Sequence, residues 1–358
     1  MQIKPFTIES PVTDVIGNRL DFFERVKQDY PDFAAKNYFR RLPDEGLMLY
    51  RIQKPTGVLR GVVGCAAIRE YTENRIKGHE HTIRKEEDKQ VALLRSRGSA
   101  IKPILLTYPD VPQINEWVVR FEAEQPLLFE LQFGAEQHRF WAVTDVADIK
   151  QLQKMFADYV PNSYIADGHH RAASTALFAQ GNNISGLLSL WAPASQLEIW
   201  AFHRVIMGYN RHTPATILAA LLDVCDISSL RTGAELPGRA HQMTMCLDNK
   251  WYKLDWKTDL MPQNSINTDV ALLNTHILGP ILGITDVRSD PRVRYVEGIS
   301  GLSGLQQKIP TGKKSIAFAM HPISITDIMQ VADAGLSLPP KSTWFEPRVK
   351  NGVIVYPF

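Results

Sequence analysis

The chain has 358 residues, of which 44% are hydrophobic and 22% charged, with a formal net charge of +2. That length is too great for one small core and suits two domains or one large composite domain, and the balance is that of a soluble globular protein. With no long Lys/Arg block and no apolar run approaching about 18 residues, the sequence argues against a broad nucleic-acid surface and against a membrane span.

The opening segment Met1–Phe6 lacks the apolar core of a secretory signal. Cys65, Cys225 and Cys246 are odd in number and far apart. They read as small buried hydrophobes in a reducing compartment rather than as a disulfide framework, so a cytoplasmic location is expected.

Leu47–Ile52 and Val58–Ile68 read as two strands joined by the turn Lys54-Pro55-Thr56-Gly57, a hairpin. The polar block Tyr71–Arg97 shows no β pattern and contains a helix at Glu86–Arg95. A strand at Ile101–Thr107, a helix at Ile114–Glu122 and a strand pair, Leu127–Leu131 with His138–Val143, follow. An amphipathic helix at Asp145–Tyr159 leads to a strand at Ser163–Ala166, and Leu187–Ala192 and Leu197–Ile206 return to strand. Thr213-Pro214 opens a helix through Leu222, with Thr as cap and Pro at the first helical position. Gln242–Leu247 and Trp251–Trp256 flank the turn Asp248-Asn249; helices are expected at Asp269–Leu282, Leu302–Lys308 and Ile325–Ala334, and a strand at Ser315–Met320. Local strand pairs outnumber strict β-α-β alternation, so the class is α+β.

Asp167-Gly168-His169-His170-Arg171 stands between the Ser163–Ala166 strand and a run of small and apolar residues that propagates as a helix. Glycine marks the bend, and two imidazoles and a guanidinium stand at the helix mouth. The first turn of a helix carries N–H groups without intrahelical partners and a partial positive charge. Arg171 adds a planar fork matched to two phosphate oxygens. The pentapeptide therefore reads as a phosphate site; it also reads as a structural capping turn.

In the polar block, Gly78-His79-Glu80-His81-Thr82 places a carboxylate between two imidazoles. On an extended segment His79 and His81 point to opposite faces and do not grip one metal together, whereas Glu80 can act as a general base. The five histidines His79, His81, His169, His170 and His203 are enough for a hydrolytic metal site, but none of them has the i, i+4 spacing that makes such sites strong. Lys341-Ser342-Thr343 follows Pro340 where a P-loop needs glycine, so a true P-loop is rejected. The Pro-rich tail, with Trp344 and Phe345 as anchors, suits a segment folding back over a site with Lys341 as a point charge.

Tyr164–Arg171, Gly78–Thr82, His203-Arg204 and Ala332–Gly335 with Pro339–Pro347 together resemble family 1015 of bacterial domains of unknown function, over about Lys4–Gly352. Two departures are Ala172, where the family usually has an aromatic, and Thr13-Asp14-Val15, where it often has Tyr-Asp-Val. Asp-Gly-His-His-Arg also resembles the nucleotide-phosphate turn of the ParB and sulfiredoxin superfamily, which includes ADP-dependent free serine kinases. The resemblance implies a ParB/sulfiredoxin-like mixed α/β core in the N-terminal half, an elaborating C-terminal α+β region, and a tail over the site. The expected boundaries are 1–212 for nucleotide binding and catalysis, 213–334 for a second α+β domain, and 335–358 for the tail.

The function this implies is phosphate transfer between ATP or ADP, with Mg2+, and a small hydroxyl metabolite, serine and phosphoserine first. Glu80, Asp167, His169 and His170 are the expected catalytic groups. Gly168, His169, His170, Arg171, Lys341, Ser342 and Thr343 are expected to hold the nucleotide, and Asp167 the magnesium. His79, His81, Thr82, His203 and Arg204 are expected to face the substrate. The alternatives are a metal-dependent phosphatase or phosphoesterase, and a non-catalytic ParB-like nucleotide-binding module. Nucleotide and small molecule are the expected partners, not nucleic acid or membrane.

Overall fold

The computed structural model describes residues 1–16, 19–182, 184, 186–231, 233–261 and 267–358. The chain forms two compact units, Met1–Glu198 with Pro347–Phe358, and Ile199–Glu346. Both mix helices with largely antiparallel sheets, which is the α+β class.

The first unit is built on a nine-stranded sheet. Along it run Ile76–Lys77, Ser163–Asp167, Ile104–Tyr108, Leu187–Pro193, Gly57–Ala66, Leu47–Lys54, Glu136–Val143 and Phe129–Phe133, with Ile3–Lys4 paired to Gly57–Ala66. The expected hairpin closes with Lys54 opposite Gly57, leaving Pro55-Thr56 as the two-residue turn. The helices Pro112–Glu124 and Val146–Tyr159 bury Trp117, Phe121, Leu152 and Phe156 in one cluster with Trp191 of the sheet. Asp145 caps the second of them by accepting the Ala147 and Asp148 N–H groups at 2.8 and 3.2 Å.

Two elements that the sequence did not reveal position the site. The polar block was expected to hold no strand, yet Ile76–Lys77 pairs in parallel with Ser163–Tyr164 at the sheet edge. Two residues cannot display a period of two, so no pattern announced them. The helix Arg19–Ala35 was also unread: Pro31 interrupts it, but Phe22, Phe23, Val26, Tyr30 and Phe33 are all buried. A register shift between Ile165 and Asp167 against Ile104–Tyr108 sets Asp167 out of step with its strand.

The second unit holds a seven-stranded sheet ordered Cys225–Ser229, Lys250–Trp256, Gln242–Leu247, Ser315–Met320, Glu198–Met207 and Val293–Glu297, with Thr343–Glu346 paired to Glu198–Met207. Asp248 and Asn249 both take the left-handed conformation, as a two-residue hairpin turn of this hand requires. The single helix expected over Asp269–Leu282 is an α-turn, Asp269–Leu272, running into a π-helix, Leu273–Leu278. Thr213 and Thr216 form a reciprocal capping box at the start of Pro214–Leu221.

Pro347–Phe358 returns to the first unit. Val355 and Glu9 exchange backbone hydrogen bonds, Gly352 donates to Ile101 O at 2.7 Å, and Tyr356–Pro357 pairs with Ser99–Ala100. All three cysteines are free and buried. Among the described residues no helix is long and apolar enough to cross a membrane.

Candidate functional site

The strand Ser163–Asp167 is buried between its neighbours and delivers the chain to Gly168, which turns it at φ +109° into the helix His169–Ala179. A Cβ at Gly168 would lie 2.7 Å from Arg171 Nη2, so both the backbone sign and the guanidinium folded over the bend demand glycine. No side chain caps this helix. Its mouth therefore presents first-turn N–H groups and the positive end of the helix dipole.

Arg171 reaches back to Asp167, Nη2 to Oδ2 at 2.7 Å, and its Nε is buried without a hydrogen-bond partner. Lys102 Nζ lies 3.7 Å from the same carboxylate oxygen. Burial alone would push the Asp167 carboxyl up, but Arg171, Lys102 and Arg348 outweigh it and hold the group well below the carboxylate range. The Lys102 ammonium pays for this position: burial first and Arg171 next bring it down to about 8, against the pull of Asp167. One carboxylate thus faces three cations, and the local balance is positive.

A cleft of ≈ 240 Å3 opens beside these groups. Arg171, Ser174 and Thr175 supply one wall, Arg97 of the helix Arg84–Arg97 another, and Lys102 and Asn351 complete it. No aspartate or glutamate lines it among the described residues. Its chemistry is that of an anion site.

The edge strand Ile76–Lys77 carries the Gly78–Thr82 block to the same helix mouth. The His79 backbone N–H donates to His169 Nε2 at 3.2 Å, and the two rings meet edge to face at 4.6 Å. With Nε2 accepting, the neutral His169 ring carries its proton on Nδ1, and Nδ1 lies 4.0 Å from Glu80 Oε2. Burial brings His79 down to about 4, and burial together with His79 holds His169 well below the usual imidazole value, so both rings are neutral at pH 7. Gly78 packs on the His169 ring, where a Cβ would come within 3.1 Å of Cδ2. His79 is buried and His81 exposed, the opposite-face arrangement expected of an extended segment. Thr82 Oγ1 donates to Glu87 of the following helix. His170 Nδ1 is buried without a hydrogen-bond partner.

His79, Glu80, Asp167, Gly168, His169, His170 and Arg171 therefore come together. His81 and Thr82 follow on the same segment, whereas His203, Arg204, Lys341, Ser342 and Thr343 belong to the second unit. There His203 Nδ1 accepts the Met320 N–H at 3.1 Å, and burial brings the ring down to about 4. Arg204 is 2% exposed, donates to Lys341 O at 2.9 Å and lies over the Tyr295 ring. Lys341 Nζ lies over the Phe202 ring at 5.4 Å, and Ser342 Oγ donates to Pro339 O at 2.6 Å. Thr343 opens the strand Thr343–Glu346. Among the described residues no group of three or more His, Cys, Asp or Glu side chains is arranged to hold a metal ion.

Lys102, Arg97 and Arg348 were missed in the sequence. Lys102 alone had a local signal, a lone charge between the apolar Ile101 and Pro103-Ile104.

Fold and site define an α+β protein with an uncapped, positively charged strand–glycine–helix turn. The sequence matches the family described as "Protein of unknown function (DUF1015)" over residues 7–276, and the chain belongs to that family. Among curated proteins none matches. Among solved structures, C-terminally truncated SbnI from Staphylococcus aureus is similar at 13% identity and a TM-score of 0.43, over 79% of this chain and 82% of that one. A free serine kinase in complex with AMP is similar at 12% identity and a TM-score of 0.41, over 80% and 86%. A conserved hypothetical protein from Pyrococcus furiosus follows at 12% and 0.38, over 81% and 94%.

Proposed function

We propose that the first unit binds the phosphates of a nucleotide at the Gly168 turn and transfers a phosphoryl group between ATP or ADP and a small hydroxyl metabolite, serine and phosphoserine being the first pair to test. The observation that carries the reading is the set of unmatched donors at one point: an uncapped helix mouth and the buried, partnerless Nε of Arg171, with Lys102 beside them. A phosphate oxygen is the acceptor that satisfies such donors, and charge-assisted hydrogen bonds of this kind contribute about 1.5–3 kcal/mol each.

Phosphoryl transfer asks a protein mainly for positioning and for stabilisation of charge. In this reading Arg171 and Lys102 hold the phosphate oxygens. The acceptor hydroxyl attacks phosphorus, its proton passes to Glu80, and the bond from phosphorus to the leaving nucleotide oxygen breaks. His169 acts as a positioning group, directing its Nδ1–H toward Glu80 while the His79 N–H fixes its tautomer. His170 stands at the same helix mouth, where an imidazole N–H donates to a phosphate oxygen. His81 and Thr82 remain on the segment that a substrate would meet. The metal-dependent phosphatase reading lacks a ligand cluster. The described side chains do not by themselves form a magnesium cage either, so no step is routed through the ion. The non-catalytic nucleotide-binding reading keeps the phosphate turn and gives Glu80 no role. In keeping with the chain's charge and cysteines, the activity is assigned to the cytoplasm.

The test is phosphorus NMR of the protein with ADP, magnesium and a panel of phosphorylated metabolites, beside thermal shift with ADP, ATP and CTP. Transfer of a phosphate resonance to the nucleotide is the expected result. No stabilisation by any nucleotide would overturn the reading, and stabilisation without transfer would leave the binding module.

A further inference from the structure

A second cleft, within the second unit, has no part in this chemistry. It has a volume of ≈ 210 Å3 and is walled by His241, Thr268, Asp269, His321, Ser324 and Asp327 among others. That is room for a small organic molecule.

Asp269 is 6% exposed. Its Oδ2 accepts the His241 backbone N–H at 3.2 Å, whereas Oδ1 is sealed from solvent without a hydrogen-bond partner. The Trp256 indole N–H is near enough to favour the charged carboxylate, yet makes no hydrogen bond to it. His241 Nδ1, 3.9 Å from Asp269 Oδ1, is likewise buried and unpartnered, as is His321 Nδ1. His241 holds a left-handed backbone at φ +63°, a cost that a non-glycine residue carries only where its surroundings impose it. Three residues on three separate segments of the chain, each with one unpartnered polar atom, thus line one cleft.

The sign of the charge decides what fits them. The described lining holds two carboxylates, Asp269 and Asp327, and no lysine or arginine. Arg239, whose charge reaches Asp269, is tied to Asp255. The mouth of the helix Ile325–Asp333 is already occupied by the protein: Ser324 Oγ accepts the Asp327 N–H at 3.0 Å and donates to Asp327 Oδ2 at 2.7 Å. Two carboxylates without a lysine or arginine disfavour an anion. A metal ion is disfavoured too, because no third ligand joins His241 and Asp269 among the described residues.

We propose that this cleft binds a small organic molecule by its ammonium group, with the Asp269 carboxylate as the principal acceptor and the side chains of His241 and His321 beside it. Burial pushes the Asp269 carboxyl up to about 7, and an ammonium beside it would favour the charged form.

Ethanolamine is the probe, ethylene glycol its uncharged isostere and glycolate its anionic counterpart. Titrated into the full chain and followed by the imidazole resonances of His241 and His321, ethanolamine is expected to shift both saturably, with a Kd of about 1 mM, the weak end for so small a ligand. Ethylene glycol and glycolate are expected to leave them unmoved, and Asp269→Asn to weaken ethanolamine about tenfold or more. The proposal is overturned if ethanolamine causes no saturable shift, if either control binds as well, or if Asp269→Asn retains wild-type affinity. Should that variant not fold, the comparison of the three probes decides alone. None of these outcomes depends on nucleotide binding in the first unit.

Discussion

Gly168 is under two constraints at once, a backbone sign and a guanidinium within van der Waals reach of the place a Cβ would take. Gly168→Ala is expected to destabilise the first unit by about 1–3 kcal/mol, read as a lower urea midpoint at unchanged slope. Arg171→Ala should weaken ADP binding by about ten- to a hundredfold in calorimetry, because it removes charge-assisted hydrogen bonds and leaves Asp167 less well neutralised. Glu80→Gln should leave that affinity within about twofold and abolish most turnover, since it keeps the shape and loses the base. Equal effects of Arg171→Ala and Glu80→Gln on binding would contradict the roles given to them.

Lys102 sets a pH dependence. Its folded pKa lies near 8, below the ordinary ammonium value, so the cation is present below pH 8 and is lost as pH rises through it. The groups facing it are Asp167, Arg171 and Arg348. Terminal phosphates, with a second pKa of about 6, are already fully ionised across this window. ADP affinity is therefore expected to fall between pH 7 and 9. Lys102→Arg should flatten the profile, because a guanidinium stays charged throughout. A wild-type profile that is itself flat would remove Lys102 from the site.

The elements show where a sequence speaks and where it is silent. The helix Val146–Tyr159 was legible because its apolar period and its cap, Asp145, agree. Asp145→Ala is expected to cost about 1 kcal/mol in equilibrium unfolding. The strand–turn–helix at 163–179 was legible for the same reason: a buried strand, a glycine and a run of good helix formers point one way. What escaped was short or long-range. Ile76–Lys77 has too few residues to show alternation, yet it is the element that carries Glu80 to His169. Lys102, Arg97 and Arg348 reach one cleft region from three segments, which no spacing in the chain records. The same holds for His241, Asp269 and His321 in the second unit. Lys341-Ser342-Thr343 belongs to the second unit, where Ser342 ties back to Pro339.

At the scale of the molecule, each unit has its own buried core: Trp117, Phe156 and Trp191 in the first, Met243, Leu273 and Phe318 in the second. The first unit also buries a distant piece of chain, for Val353, Ile354 and Val355 are all 0% exposed. Each such side chain contributes about 1.5–3 kcal/mol on burial. Deleting 347–358 is thus expected to unfold the first unit, with loss of ADP-dependent stabilisation. The second unit should keep its own hydrogen-exchange protection.

That returning segment also dictates an order of events during synthesis. Residues 347–358 are translated after every residue of 199–346, so throughout that time the first unit lacks the strand that pairs with Ser99–Ala100 and the bond from Gly352 to Ile101. Lys102 adjoins that unfinished edge. The first unit is accordingly expected to complete its fold last, and a chain ending just short of Pro347 should be blind to ADP.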